Sequence, residues 1–66
     1  MLSARNQFKG KVKDVKLGKV MAEVVVSVGT LEIGAAITRG SADRLGLKPG
    51  DTVTAIIKST EVMIDK

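Results

Sequence analysis

Cysteine and histidine are both missing from this chain of 66 residues, as are tryptophan and tyrosine; phenylalanine and proline occur once each. Without cysteine there is no disulfide to staple a small core and no thiolate to hold a metal. Without histidine, zinc binding and general-base chemistry near neutral pH lose their usual carriers. One aromatic side chain cannot build the stacking platform on which single-stranded nucleic acid is held. No apolar run approaches the roughly 18 residues of a membrane-crossing helix. No apolar stretch follows a basic one at the N-terminus, as a signal peptide would require, so the expected location is the cytoplasm. The carboxylates are scattered singly, with no pair spaced for acid–base work and no cluster for a hard cation. A Gly-rich phosphate loop ending in Lys-Ser/Thr is also lacking.

What is present is aliphatic and basic. Hydrophobic residues make up 44% of the chain, and 11 Lys and Arg stand against 7 Asp and Glu, for a formal charge of +4. A domain of this size buries only about 60% of its unfolded surface. So much Val, Ile, Ala and Leu exceeds what one small core needs, and the surplus is expected at a subunit interface. The positive charge favours anionic partners.

The expected organisation is one small domain over residues 1–66. Gln7–Leu17 reads as a strand with Phe8, Gly10 and Val12 on one face and Lys9, Lys11 and Lys13 on the other. The apolar phase slips at Asp14, since Val15 and Leu17 follow, so a bulge is expected near Lys13-Asp14. Leu17-Gly18-Lys19 is a hairpin turn. Val20–Val28 forms a second strand with Ala22, Val24, Val26 and Val28 on one face. Leu31–Ile37 forms a third, with Leu31, Ile33, Ala35 and Ile37 inward and the small Gly34 and Ala36 outward. Thr38 caps a short helix that ends near Leu45, with Gly46 after it. Leu47-Lys48-Pro49-Gly50-Asp51 is a turn, and strands follow at Thr52–Lys58 and Glu61–Ile64. Three meandering strands, a helical turn and two more strands give an all-β, OB-like five-stranded Greek-key barrel with one short helix between strands 3 and 4. Closure would also remove the exposed edges. Met21, Val25, Ile56 and Met63 break the polar outward faces and are assigned to an interface.

Two segments concentrate hydroxyls, cations and small residues: Ser3-Ala4-Arg5-Asn6-Gln7, and Lys58-Ser59-Thr60 at a strand break where backbone N–H groups are expected to be free. This chemistry suits a tetrahedral oxyanion, with charge from Lys or Arg and orientation from N–H and O–H donors. Taken locally, Lys58-Ser59 reads first as a solvated strand end, and Thr38 with Ser41 first as a helix cap and no more.

Taken together, Ser3-Ala4-Arg5-Asn6-Gln7 with Gly10-Lys11-Val12, Ile37-Thr38-Arg39-Gly40-Ser41, Leu45 to Asp51, and Ile57-Lys58-Ser59-Thr60 resemble the molbindins. Molbindins are small cytoplasmic molybdate-binding proteins built from a Mop domain, a kind of TOBE domain. The resemblance spans nearly the whole chain. Leu-Lys-Pro-Gly-Asp is generic, whereas Ser-Ala-Arg-Asn paired with Lys-Ser is particular. It implies a non-enzymatic binder of molybdate, or of tungstate, serving molybdenum storage and homeostasis. It needs no cofactor, and molybdenum enters only as its oxyanion. It further implies a hexamer built as a trimer of dimers, with ions held between subunits. Ser3, Ala4, Arg5, Lys58 and Ser59 would form one part of a site, and Thr38 and Ser41 another part, from a neighbouring subunit. Two other classes of function remain open. A nucleic-acid-binding OB module fits the charge and the barrel, with Lys9, Lys11 and Lys13 as a basic stripe, but lacks aromatics. A purely structural oligomerisation module would bind no anion.

Overall fold

Alternation of β-branched and polar residues drives the first three segments into strands, and the computed structural model describes them within residues 5–66. The elements are β1 (Asn6–Leu17), β2 (Met21–Val28), β3 (Leu31–Thr38), a helix α1 (Arg39–Leu45), β4 (Thr52–Ile57) and one 3-10 turn at Ser59–Glu61. All pairings are antiparallel, and the sheet order is β3-β2-β1-β4. Strand β4 therefore returns beside β1 after the three-strand meander, which is the Greek-key arrangement. Val12, Val24 and Val26 are buried at its centre, with Val15, Val28, Ala35, Ile37, Leu47 and Val53 packed around them.

The slip in the apolar pattern of β1 is absorbed by a bulge. Val12 pairs with Val26 and Asp14 with Val25, so the register shifts between Val12 and Asp14. Lys13 is the extra residue, and Val12 and Val15 both reach the core. Lys13 is not simply solvated, as the alternation predicts: its ammonium is hydrogen-bonded to Glu32 on β3. Gly10 is needed for close approach. A Cβ there would lie 2.2 Å from the Ser27 carbonyl oxygen and 2.9 Å from a Val28 methyl. The backbone also ties β1 to the turn before β4: the Val12 N–H donates to the Asp51 carbonyl at 2.9 Å, and the Gly50 N–H to the Val12 carbonyl at 2.8 Å.

The expected five-stranded barrel is not what forms. The sheet has four strands and is open, because β3 and β4 end it on opposite sides and are not bonded to each other. The segment expected as a fifth strand, Glu61–Ile64, starts in the 3-10 turn and then lies outside every ladder. The physical reason is in the turn. Lys58 and Ser59 carbonyls accept from the Glu61 and Val62 N–H groups, so the donors that would open a hairpin with β4 are consumed locally. Met63 and Ile64 are left 92% and 89% exposed. Leu31, expected inward, is also exposed at the start of the open edge strand. Among the described residues no helix is long and apolar enough to cross a membrane.

Candidate functional site

Antiparallel register brings the described end of the first cationic segment and the start of the second to one corner of the sheet. The β1–β4 ladder ends with Asn6 opposite Ile57. One residue beyond the strand ends stand Arg5, before β1, and Lys58, after β4, both exposed. Each directly adjoins the last pair of the ladder, so two like charges come to the same corner of the sheet. Among the described residues the ion pairs are Lys13–Glu32 and Arg39–Asp43; neither Arg5 nor Lys58 has a carboxylate partner. Two cations held together without a counter-charge repel each other and are stabilised by an anion placed between them. Ser59 follows Lys58 at the start of the 3-10 turn, exposed beside the same corner. Ser3 and Ala4 lie outside the described residues.

Thr38 and Ser41 form a second group. Thr38 ends β3 and caps α1, its hydroxyl accepting from the Ser41 N–H at 3.1 Å. It donates in turn to Ser41 Oγ at 2.8 Å. The helix holds this geometry although it is only seven residues long: Ala42 is buried beneath it, and Gly46 closes it in the left-handed conformation at φ 60°. The Thr38 hydroxyl is thus engaged both by the cap and by Ser41.

One chain does not bring the two groups together. Arg5 precedes β1, whereas Thr38 pairs with Met21, next to the far end of β1 at Leu17. Lys58 lines a cleft with Ile33, Gly34 and Ala35 of β3. Thr38 lies three residues beyond Ala35, roughly 10 Å further along the strand.

Two arginines absent from the sequence-derived site flank Thr38 and Ser41. Arg39 Nε donates to both Asp43 carboxylate oxygens, at 3.0 and 3.2 Å, and its Nη1 to the Gly18 carbonyl at 3.1 Å. It thereby pins the β1–β2 turn to the helix start. Arg44 Nη2 donates to Ser41 Oγ at 3.3 Å. The helical spacings Arg39-Asp43 and Ser41-Arg44 were the available signal. Among the described residues no three His, Cys, Asp or Glu side chains come together as a metal site.

Comparison with known proteins finds the TOBE domain family matching residues 2–64. Molybdenum-pterin-binding protein 3 of Clostridium pasteurianum is 52% identical over 64 residues, which are 96% of this chain and 94% of that protein. The solved structure of a molybdate-binding protein from Sporomusa ovata superposes with a TM-score of 0.95 at 42% identity, covering 100% of this chain and 98% of that one. A structure of the cytoplasmic molybdate-binding protein ModG with molybdate bound gives a TM-score of 0.84 at 42% identity, covering 89% of this chain and 43% of that one.

Proposed function

The chain belongs to the TOBE domain family, and from that membership we propose that it is a non-enzymatic, cytoplasmic binding protein for molybdate. Tungstate, of the same charge and shape, is an alternative guest, and the role is storage and homeostasis of molybdenum. The ligand is a tetrahedral dianion with four acceptor oxygens, each needing donors once it leaves water. Arg5 and Lys58 offset its charge. Ser59, Thr38 and Ser41 supply hydroxyl or neighbouring N–H donors, and Ser3 and Ala4 complete the first group. The name of the Clostridium relative couples molybdenum to a pterin. Aromatic side chains would offer a flat ring of that kind a stacking surface, and this chain has a single phenylalanine and no tyrosine or tryptophan. The bare oxyanion is the ligand its residues fit.

One arrangement supports the reading: Arg5 and Lys58 directly follow the last pair of the β1–β4 ladder, neither with a carboxylate partner among the described residues, and Thr38 and Ser41 lie toward the other end of the sheet. Each copy then carries two half-sites, and a neighbouring copy completes each. The assembly is oligomeric, and a hexamer arranged as a trimer of dimers provides such contacts. Binding and assembly are coupled, because an ion held between subunits bridges them.

Calorimetric titration with molybdate tests the site. Losing one charge of a desolvated pair costs about 3–5 kcal/mol, so Lys58→Ala is expected to weaken binding by several decades. Ser59→Ala removes a neutral donor worth about 1–3 kcal/mol, roughly one or two decades. Lys11→Ala, on the solvated face of β1, is expected to change little. Equal losses in Lys58→Ala and Lys11→Ala would mean that diffuse surface charge holds the ion and no discrete site exists.

A further inference from the structure

The hydroxyls of Thr38 and Ser41 are not equivalent donors. Each has one proton and two acceptor lone pairs. Thr38 accepts from the Ser41 N–H and gives its proton to Ser41 Oγ, so its donor is used inside the chain. Ser41 Oγ accepts twice, from Thr38 Oγ1 at 2.8 Å and from Arg44 Nη2 at 3.3 Å. Both its lone pairs are filled. One Thr38 lone pair also remains, but the bond between the two oxygens already holds the Thr38 proton, so the Ser41 proton is the one hydroxyl donor of the pair left to be given outward.

Arg44 differs from Arg39 in having its charge free. The adjacent Asp43 carboxylate is engaged by Arg39, and among the described residues Arg44 has no carboxylate partner. A hydroxyl that accepts from a guanidinium is polarised and becomes a stronger donor, since chains of hydrogen bonds reinforce one another. A plain structural role also exists for Arg44: a cation in the last turn of a helix is favoured by the helix dipole.

We propose that Arg44 is a positioning residue for oxyanion binding, which, by donating to Ser41 Oγ, locks and polarises the Ser41 hydroxyl as an obligate donor to the ion. This rests on the reading of Ser41 as part of a molybdate site. Arg44 need not touch the ion, and its effect passes through one oxygen atom.

A double-mutant cycle on the full chain tests this. Sodium molybdate is titrated calorimetrically into the wild type, Ser41→Ala, Arg44→Met, Arg44→Lys and the Ser41→Ala/Arg44→Met double variant. Each is checked for wild-type mass by light scattering, with Arg44→Gln standing in if Arg44→Met alters assembly. Ser41→Ala is expected to lose about tenfold or more in affinity. Arg44→Met should lose about five- to tenfold, Arg44→Lys should recover to within about twofold of wild type, and the double variant should match Ser41→Ala alone. A full further loss in the double variant would show Arg44 acting by its own charge and overturn the proposal. So would wild-type affinity in Arg44→Met alongside a weakened Ser41→Ala, and the reading of Ser41 would then survive. Wild-type affinity in Ser41→Ala overturns both.

Discussion

A single glycine fixes how closely β2 crosses β1. At Gly10 the would-be Cβ contact is a backbone carbonyl at 2.2 Å, which no side-chain rotation relieves. Gly10→Ala is therefore expected to cost about 3 kcal/mol, against a total stability on the order of 3–10 kcal/mol for a chain this long. A urea melt reads this directly, and an unchanged midpoint would mean that the strands can separate freely at this crossing. Gly34, by contrast, has nothing within 4 Å of its would-be Cβ. Charge at residue scale carries a pH signature. Glu32 raises the Lys13 pKa above 10.5, chiefly through its hydrogen bond and then through its charge. A raised folded-state value adds stability below the unfolded value and loses it as pH climbs through the folded one. The stability difference between wild type and Glu32→Gln is thus expected to be small but present at pH 9, as for other exposed pairs, and to shrink above pH 10.5. Thermal melts across that range check it, and a difference that grows with pH would contradict the pairing.

The helix is the element whose stability depends most on its ends. Seven residues are too few to persist alone, so the Thr38 cap matters to the fold in its own right. Thr38→Val is expected to lose about 1 kcal/mol, whereas Thr38→Ser keeps the hydroxyl and most of the stability. Melting without molybdate separates this from any role in binding; if both variants melt alike, the cap is dispensable. These features were legible in the sequence because they are local: Thr38 before the helix, Gly46 after it, and a phase slip at Lys13-Asp14 that had to become a bulge. The meander and the return of β4 beside β1 also follow from alternation and turns. The fifth strand was not legible, since Val62 to Ile64 has the composition of a strand and composition does not say whether an edge is within reach. Arg39 and Arg44 were missed for a similar reason. A lone arginine reads as surface charge until the backbone shows which hydroxyl or carbonyl it meets. Lys58 was singled out by its neighbours, but its place at the same end of the β1–β4 ladder as Arg5 came only with the register.

At the scale of the molecule, the isolated chain exposes more than a finished monomer should. A folded monomer of 6.9 kDa presents about 4,000 Å², whereas this one presents 5525 Å². Its radius of gyration is 12.2 Å, against about 11 Å for a close-packed chain of the same length. An excess of this size is what one copy contributes to an obligate interface, and large apolar side chains are exposed to form it: Leu17, Val20 and Met21 around the β1–β2 turn, Leu31 and Ile56 on the edge strands, and Val62, Met63 and Ile64 beyond the 3-10 turn. An open sheet with two free edges adds unpaired backbone groups to that surface. Light scattering at micromolar concentration is therefore expected to give a mass several times 6.9 kDa, with six copies as the proposed number. If the half-sites near Lys58 and near Ser41 meet across the contact, molybdate must stabilise the assembly by mass action, by about 2.7 kcal/mol at a free concentration one hundred times Kd. The melting temperature should then rise with molybdate in the wild type and much less in Lys58→Ala, and should rise with protein concentration in both. A monodisperse 6.9 kDa species with and without molybdate would remove the interface, and with it the means of joining the two half-sites.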